Sequence, residues 1–585
     1  MKKILFICFS LLFLLPLGGC NDDDFLREKP SDFLTIDNAF LNAAQFNTGL
    51  NYLYFLLKQN YIYKDGDPYV VHFGVGADIN FSPNDQNVWT NYNNLNSNAG
   101  WLNELFVRQY QMVNYANSII SQSENPDVKW VNQAEKKKIQ AEARFFRGFA
   151  YRFLSQMWGD MPIITEPISK PSLGYSRDPR EKIYELCVED FKFAAENLPE
   201  TTSEVGRLVS GAGYHFLSEM YIALADERGG TDKTLYQKAI EAASKVIDGG
   251  TYKLMNTRFG YRANVPGKDA FWDLFQMTKE DGTTNFSYQS GNKESIFIIH
   301  LDKYKTGGLT PTLTTRTNQE RTFWPSFWGW NGKFGYFGTA YDWMGRGIAW
   351  ARPTSYFLYD LWNKSGEEDT RNAEWNINRI LRVPNPDKTY QPTPDPTRNW
   401  PTAPQVIQLA DGSTITVQLH PGDVIKKEWL ITREDTMNRW YPRVMKMGSD
   451  WHYTTDPSNT FVMDYYVARL AETYLLRAEA YMKFGDAGKA AADINTVRAR
   501  SNAKPITAGE VNIDYILDER GRELYGEELR TLTLCRLKKY YDRTKRFGYS
   551  VCATSIDNSS LKNNLWPIPQ SVIDANSQII IPQNE

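Results

Sequence analysis

AEARFFRGFAYRFLSQMWGDMPIITE, Ala141 to Glu166, is the stretch on which the fold turns. Asn132 stands where an N-cap belongs, with Glu135 three residues on. From there the apolar positions Ile139, Ala143, Phe146, Ala150, Phe153 and Met157 recur every three or four residues, the spacing of one buried helix face. Gly159 and Pro162 stop the helix. The pattern predicts a long helix packed in a helical assembly.

The same period continues on both sides. A helix is predicted from near Val209 through Leu217, Met220, Tyr221 and Leu224 to Gly229 and Gly230, followed by another carrying Tyr236, Ala239, Ile240, Ala243 and Ile247. Two such helices joined by a short turn make an αα-hairpin. The arrangement returns as Tyr466 to Phe484, a break at Gly485 and Asp486, then Ala487 to Ala499. YQKAIEAASKVID, from Tyr236, and GDAGKAAADINTVRAR, from Gly485, resemble the second helix of tetratricopeptide units, whose small residues let neighbouring helices approach closely.

Between the hairpins, from about Thr251 to Thr460, Gly, Pro, Asn and Trp rise and the helical period fades. Strand-like runs occur at Ser295 to Leu301 and Thr414 to Leu419. Twelve of the 17 Trp fall in this insert, and repeat proteins tend to carry insertions on the binding face. The expected architecture is mostly α: a tetratricopeptide-like helical-pair scaffold with a large, irregular, loop-rich insert containing short strands.

The N-terminus reads as an export signal. Met1, Lys2 and Lys3 precede an apolar stretch, Ile4 to Leu17, that is too short to span a bilayer. Leu17, Gly18, Gly19 and Cys20 look like a bacterial lipobox, at which Cys20 is lipidated and becomes the mature terminus. Asn21 to Phe25 then form a polar and acidic tether that cannot fold alone. Several acyl chains anchor a protein stably where one does not. Of five cysteines, Cys187, Cys535 and Cys552 remain in the body, with no spacing that points to a disulfide framework. Without Lys2 and Lys3 there are 64 basic residues against 69 acidic ones, a formal charge of −5, which argues against nucleic acid as a partner.

Four segments, with the lipobox, resemble the signatures of the SusD/RagB lipoproteins of Gram-negative bacteria. They are Ala141 to Glu166; ETYLLRAEAYMKFGDAGKAAADINTVRARSNA, Glu472 to Ala503; ILDERGRELYGEELRTLTLCRL, Ile516 to Leu537; and LWPIPQSVIDANSQIIIPQNE, Leu565 to Glu585. Thr533 departs from the pattern, where many members have Asp. The resemblance implies an outer-membrane lipoprotein facing the cell exterior. Such a protein binds oligosaccharide, or sometimes peptide, and caps a SusC-like TonB-dependent outer-membrane transporter, with no catalytic centre. It divides the chain into a signal segment at 1–19, a lipidated tether at 20–30 and one domain at 31–585. Within that domain the helical frame lies at about 31–250 and 461–585, and the ligand lobe at about 251–460.

The charged residues of these signatures, Arg144, Arg147, Glu519, Arg520, Arg522 and Glu523, have spacings that suit buried or semi-buried ion pairs and belong to the scaffold. The ligand site is expected in the Trp cluster. Trp324, Trp328, Trp330, Trp343 and Trp350 are interleaved with glycines, poor helix material and good loop material. A sugar's C–H face packs on indole, helped by polar groups that bond its hydroxyls. The candidate partners are Asn331, Asn318, Gln319, Arg321 and Asp342. Trp350 reads as packing, while Trp324, Trp328 and Trp330 fit either core or platform. A second candidate loop, Asp85 to Tyr92, sets Trp89 and Tyr92 among Asn84, Gln86, Asn87, Asn91, Asn93 and Asn94.

No cofactor is expected. The five histidines are scattered and no HExxH occurs. Asp78, Asn80, Asn84 and Asp85 could hold a structural calcium, with a plain polar turn as the alternative. GVGADI, from Gly74, lacks the third glycine of a dinucleotide loop, and no G-x-S-x-G is present. A glycosidase needs two facing carboxylates, and nothing singles out a pair among 69 acidic residues. The expected function is glycan capture for a nutrient importer. A RagB-like peptide or protein binder and a surface glycosidase are the alternatives.

Overall fold

The computed structural model describes residues 40–61, 76–168, 170, 172–279, 281–301, 319–330, 333–334, 347–383, 404–420, 422–449 and 463–584. Residues 1–39, with Cys20 and the tether, lie outside them. No helix among the described residues is long and apolar enough to cross a membrane.

The frame is a succession of antiparallel helices: α1 (Ala43–Tyr61), α2 (Gly100–Ser123), α3 (Gln133–Trp158), α4 (Arg180–Asn197), α5 (Ser210–Glu227), α6 (Lys233–Ile247), α7 (Leu470–Phe484) and α8 (Ala487–Arg500). Asn132 caps α3, its side chain accepting from the Glu135 N–H at 2.9 Å. The helix is not amphipathic along its whole length as its spacing predicts. Apart from half-buried Arg144, every residue from Ile139 to Trp158 is buried, so its C-terminal half is covered on all sides. Two charges inside that half require partners: Arg147 forks onto Asp190 of α4 with two 2.8 Å bonds, and Arg152 reaches Glu219 of α5 at 2.9 Å.

The two predicted hairpins, α5–α6 and α7–α8, are distant in sequence but packed on each other. Arg477 of α7 bonds Asp248 and Ser244 at the end of α6, at 2.8 and 2.9 Å. The small residues Ala239, Ala242, Ala243, Ala490 and Ala491 are buried, as close helix approach requires. Gly485 ends α7 at φ +112°, where an L side chain is strained, and Asp486 caps α8 through the Lys489 N–H.

One boundary differs from expectation. Tyr465–Arg469 is a strand and α7 starts only at Leu470. The aromatic and β-branched run YYVA suits a pleated ribbon better than a helix start. It pairs antiparallel with Ser295–Ile299, which lies inside the predicted strand, and both strands are wholly buried. This ribbon ties the insert to the entrance of the second hairpin.

The strands, in chain order, are β1 (Asn80–Phe81), β2 (Ser295–Ile299), β3 (Arg352–Pro353), β4 (Ile377–Asn378), β5 (Gln405–Gln408), β6 (Thr414–Val417), β7 (Arg443–Val444) and β8 (Tyr465–Arg469). They pair antiparallel as β1–β3, β2–β8, β4–β7 and β5–β6. The β5–β6 hairpin has a small core of its own, with Phe327, Trp330, Phe334, Leu381, Val383, Ile407, Trp429 and Trp440.

The C-terminal signature closes on α3. The Trp158 indole donates to Pro567 O, Trp566 N–H donates to Met157 O, and Asn584 Nδ2 reaches both Trp158 O and Trp566 O. Two signatures 400 residues apart in sequence are therefore one structural unit. Further signature residues lie on α9 (Ile513–Leu524) and α10 (Arg530–Arg536), which α11 (Tyr540–Phe547) follows. Glu519 bonds Arg371 and Arg498 at 2.8 and 2.7 Å, and Glu523 bonds Arg371 and Arg469 at 3.0 and 2.7 Å, all fully buried. The scaffold reading of these charges holds. Cys187, Cys535 and Cys552 are free, buried thiols, and burial pushes Cys535 and Cys552 up to about 12.

Candidate ligand-binding face

The sequence-predicted aromatic arc is turned inward where the structure describes it. Trp324 is fully buried, its indole donating to Val444 O at 3.0 Å. Trp330 is 7% exposed, within the lobe's own core, and donates to Asp435 at 2.6 Å. Trp89 is 5% exposed and packs on Trp101 and Trp566, with ring centroids at 4.5 and 5.7 Å. Tyr92 is 1% exposed and shares a 2.9 Å hydrogen bond with Tyr540. These four rings are core, because each is large enough to seal a junction between segments and each finds a polar or aromatic partner inside. Trp343, Asn331, Asn318, Asp342 and the Trp328 side chain lie outside the described residues. Gln319 is buried and Arg321 half-buried, on the short helix Gln319–Phe323.

Asp78, Asn80 and one oxygen of Asp85 are engaged within the chain. Asp78 accepts from Arg530 and Arg543 at 2.6 Å each; burial would raise its carboxyl, but the two guanidiniums outweigh burial and hold it well below the usual carboxylate range. Asn80 Oδ1 accepts from Tyr525, and Asp85 pairs with Arg433 at 2.6 Å. Among the described residues no cluster of three or more metal-ligating side chains forms.

What faces solvent is a different set of residues. The loop after β1, the segment after β3, the short helix near 435–441 and the end of α11 converge there. Tyr359 is 48% exposed, and the Arg379 guanidinium lies 5.9 Å from its ring centre. Arg352, on β3, lies over the rings of buried Phe81 and Tyr441 at 5.6 and 5.5 Å and touches Met437 Sδ. Phe81 stacks on half-buried Tyr549 at 4.2 Å, and the Tyr549 hydroxyl accepts from Arg433 at 3.4 Å. Tyr356 stacks on Phe547 at 3.9 Å, over Arg543. Asn84 and Gln86 are exposed on either side of Asp85. The amides of the second candidate loop therefore face water while its aromatics do not.

Arg352 and Tyr359 both fall in ARPTSYFLYDLW, residues 351–362, just after Trp350. No period or motif marks them; only the pairing of β3 with β1 brings them to the rim. A second concave surface, a groove of about 380 Å³ between α2, residues 161–177 and the C-terminal segment, is lined mainly by apolar groups such as Phe106, Tyr110, Ile164 and Val572.

A helical-repeat frame presenting one loop-borne polar and aromatic face defines a binding scaffold. The chain belongs to the SusD family: the family's profile matches residues 293–585, and a second profile, described as starch-binding associating with outer membrane, matches residues 24–222. A SusD-like protein of Bacteroides ovatus is 31% identical over 163 residues, 26% of this chain and 29% of that protein. The chain spans about half or less of the length of the curated relatives it matches. A SusD homologue from Bacteroides thetaiotaomicron superposes with TM-score 0.66 at 18% identity, covering 94% of this chain and 98% of that one. A laminarin-binding SusD-like protein superposes with TM-score 0.57 at 19% identity, covering 93% and 99%. These likenesses establish the fold as that of the SusD superfamily.

Proposed function

We propose that the chain is a lipid-anchored, outward-facing glycan-binding protein of the outer membrane. It performs no catalysis of its own and passes oligosaccharide to a SusC-like TonB-dependent transporter. The observation that carries this reading is the Tyr359 face. A half-exposed ring with the Arg379 guanidinium beside it offers stacking for a sugar's C–H face and bonds for its hydroxyls without deep enclosure. Family membership supports it, as do the names starch-binding and laminarin-binding among the relatives. The Trp328 and Trp343 rings remain proposed contributors.

The transporter would cover part of the helical frame. Tyr52, Phe55 and Tyr115, on α1 and α2, are 37 to 44% exposed and mutually packed, with Tyr52 and Tyr115 ring centres 4.4 Å apart. An exposed apolar cluster of this kind suits a protein contact.

A glycan array followed by affinity electrophoresis tests the reading. Tyr359→Ala is expected to weaken glycan binding by about 1–3 kcal/mol, as for an aromatic hot spot, at an unchanged melting temperature. Peptide binding with no retention on any glycan would overturn it.

A further inference from the structure

Arginine is treated in two ways in this molecule: most buried guanidiniums meet carboxylates, while a few, Arg177 beside the C-terminal segment and two on the candidate face, meet only neutral groups among the described residues. Within the core and at the junction of frame and insert, buried guanidiniums meet carboxylates: Arg371, Arg469, Arg498, Arg530 and Arg536 each do so within 3.0 Å. Arg352 and Arg379 make no ion pair with any carboxylate among the described residues. Arg352 has aromatic rings and a thioether around it, and its Nε is buried without a hydrogen-bond partner. Arg379 bonds only neutral oxygens, Leu358 O and Asn372 Oδ1 at 2.7 Å and Asn372 O at 3.2 Å. Of the nearby acids, Asp85 is held by Arg433, and Asp360, exposed beside Tyr359, pairs with neither arginine.

A cation partly withdrawn from water without a counter-charge is unfavourable, and an arriving anion relieves it. Burial pushes both guanidiniums below their ordinary value, in keeping with this withdrawal. The planar fork of arginine matches the paired oxygens of a carboxylate or a sulfate ester. The Tyr359 ring lies beside Arg379, seven residues along the segment that begins with Arg352 on β3.

We propose that the glycan held at this face is anionic: a sugar bearing carboxylate or sulfate, its ring on Tyr359 and its negative group on Arg352 and Arg379. The inference rests on the glycan-binding reading above and narrows it to a ligand class. Neutral glycans would meet the same ring but leave the guanidiniums without a counter-ion.

The test measures binding of the full chain by calorimetry to matched pairs of oligosaccharides that differ only in charge. One pair is oligogalacturonate against its methyl ester; the other is a sulfated galactan oligosaccharide against its desulfated form. The pair that responds separates a uronate from a sulfate ester. The expected result is about tenfold or greater preference for one charged member, the scale of a hydrogen bond to a charged group. That preference should shrink as salt is raised. Arg352→Gln and Arg379→Gln should each remove it while the chain keeps its native circular dichroism at the assay temperature, and Arg352→Lys should retain part. Equal affinity for charged and neutral members, unaltered in both glutamine variants, would overturn the anionic assignment and leave glycan binding standing. No binding to any of the four would overturn both.

Discussion

The buried arginines of the frame and those at the lobe's rim are the same side chain in opposite circumstances. Arg371 sits fully buried against Asp369, Glu519 and Glu523, with every contact 3.0 Å or shorter. Among the described residues, Arg352 and Arg379 lean on rings and neutral oxygens and meet no carboxylate. Where charge serves architecture it is neutralised within the chain; where it faces solvent beside an exposed ring, the chain leaves a valence to be filled from outside. Such charges join α8 and α9 to the lobe, since Arg469 of β8 bridges Glu294 and Glu523, and Arg500 of α8 also reaches Glu294.

The largest expected effect comes from breaking the frame. Arg371→Ala leaves Asp369, Glu519 and Glu523 short of a buried partner and is expected to lower unfolding free energy by about 3–5 kcal/mol in a denaturant titration. A change below 1 kcal/mol would mean that the paired and unpaired arginines do not differ in structural role.

Acid should act on the same network. Burial raises the Glu523 carboxyl, but Arg500, Arg469 and Arg371 outweigh burial and hold it at about 2; Glu519 is likewise held below its ordinary range. Because the folded value lies below the unfolded value of about 4.3, this contribution is fully present above that pH and drains away as pH falls toward 2. The melting temperature is expected to drop across that window, and to drop less in Glu523→Gln. A flat profile would break the comparison.

At the rim, Arg379→Gln removes no ion pair but does remove hydrogen bonds to Leu358 O and Asn372, and it is expected to lower unfolding free energy by about 1–2 kcal/mol. Smallest of all is a third class that sharpens the contrast. Arg228 pairs with Glu181 and Glu185 with all three side chains about a third exposed, and Arg228→Ala should cost less than about 1 kcal/mol, falling further in high salt.

The helical frame was legible because its signals are local. Asn132 and Glu135, the small residues of α6 and α8, and Gly485 before Asp486 act within a turn or two of chain, and each does in the structure what its type implies. The family could be read from segments that prove to touch, such as Trp158 with Pro567. The ligand face was not legible. Trp324, Trp330, Trp89 and Tyr92 carry the right chemistry for sugar, yet an indole or phenol ring with one polar atom is equally at home sealing a core. In a loop-rich insert no period distinguishes the two uses.

The sequence by itself determined a mostly helical frame, its caps and breaks, and the scaffold role of the signature charges, because hydrophobic period and capping are properties of neighbours in the chain. Only the tertiary structure decided which rings meet water and which arginines lack a counter-charge. Both depend on what distant segments bring alongside: Phe81 and Tyr441 beneath Arg352, and Glu519 opposite Arg371.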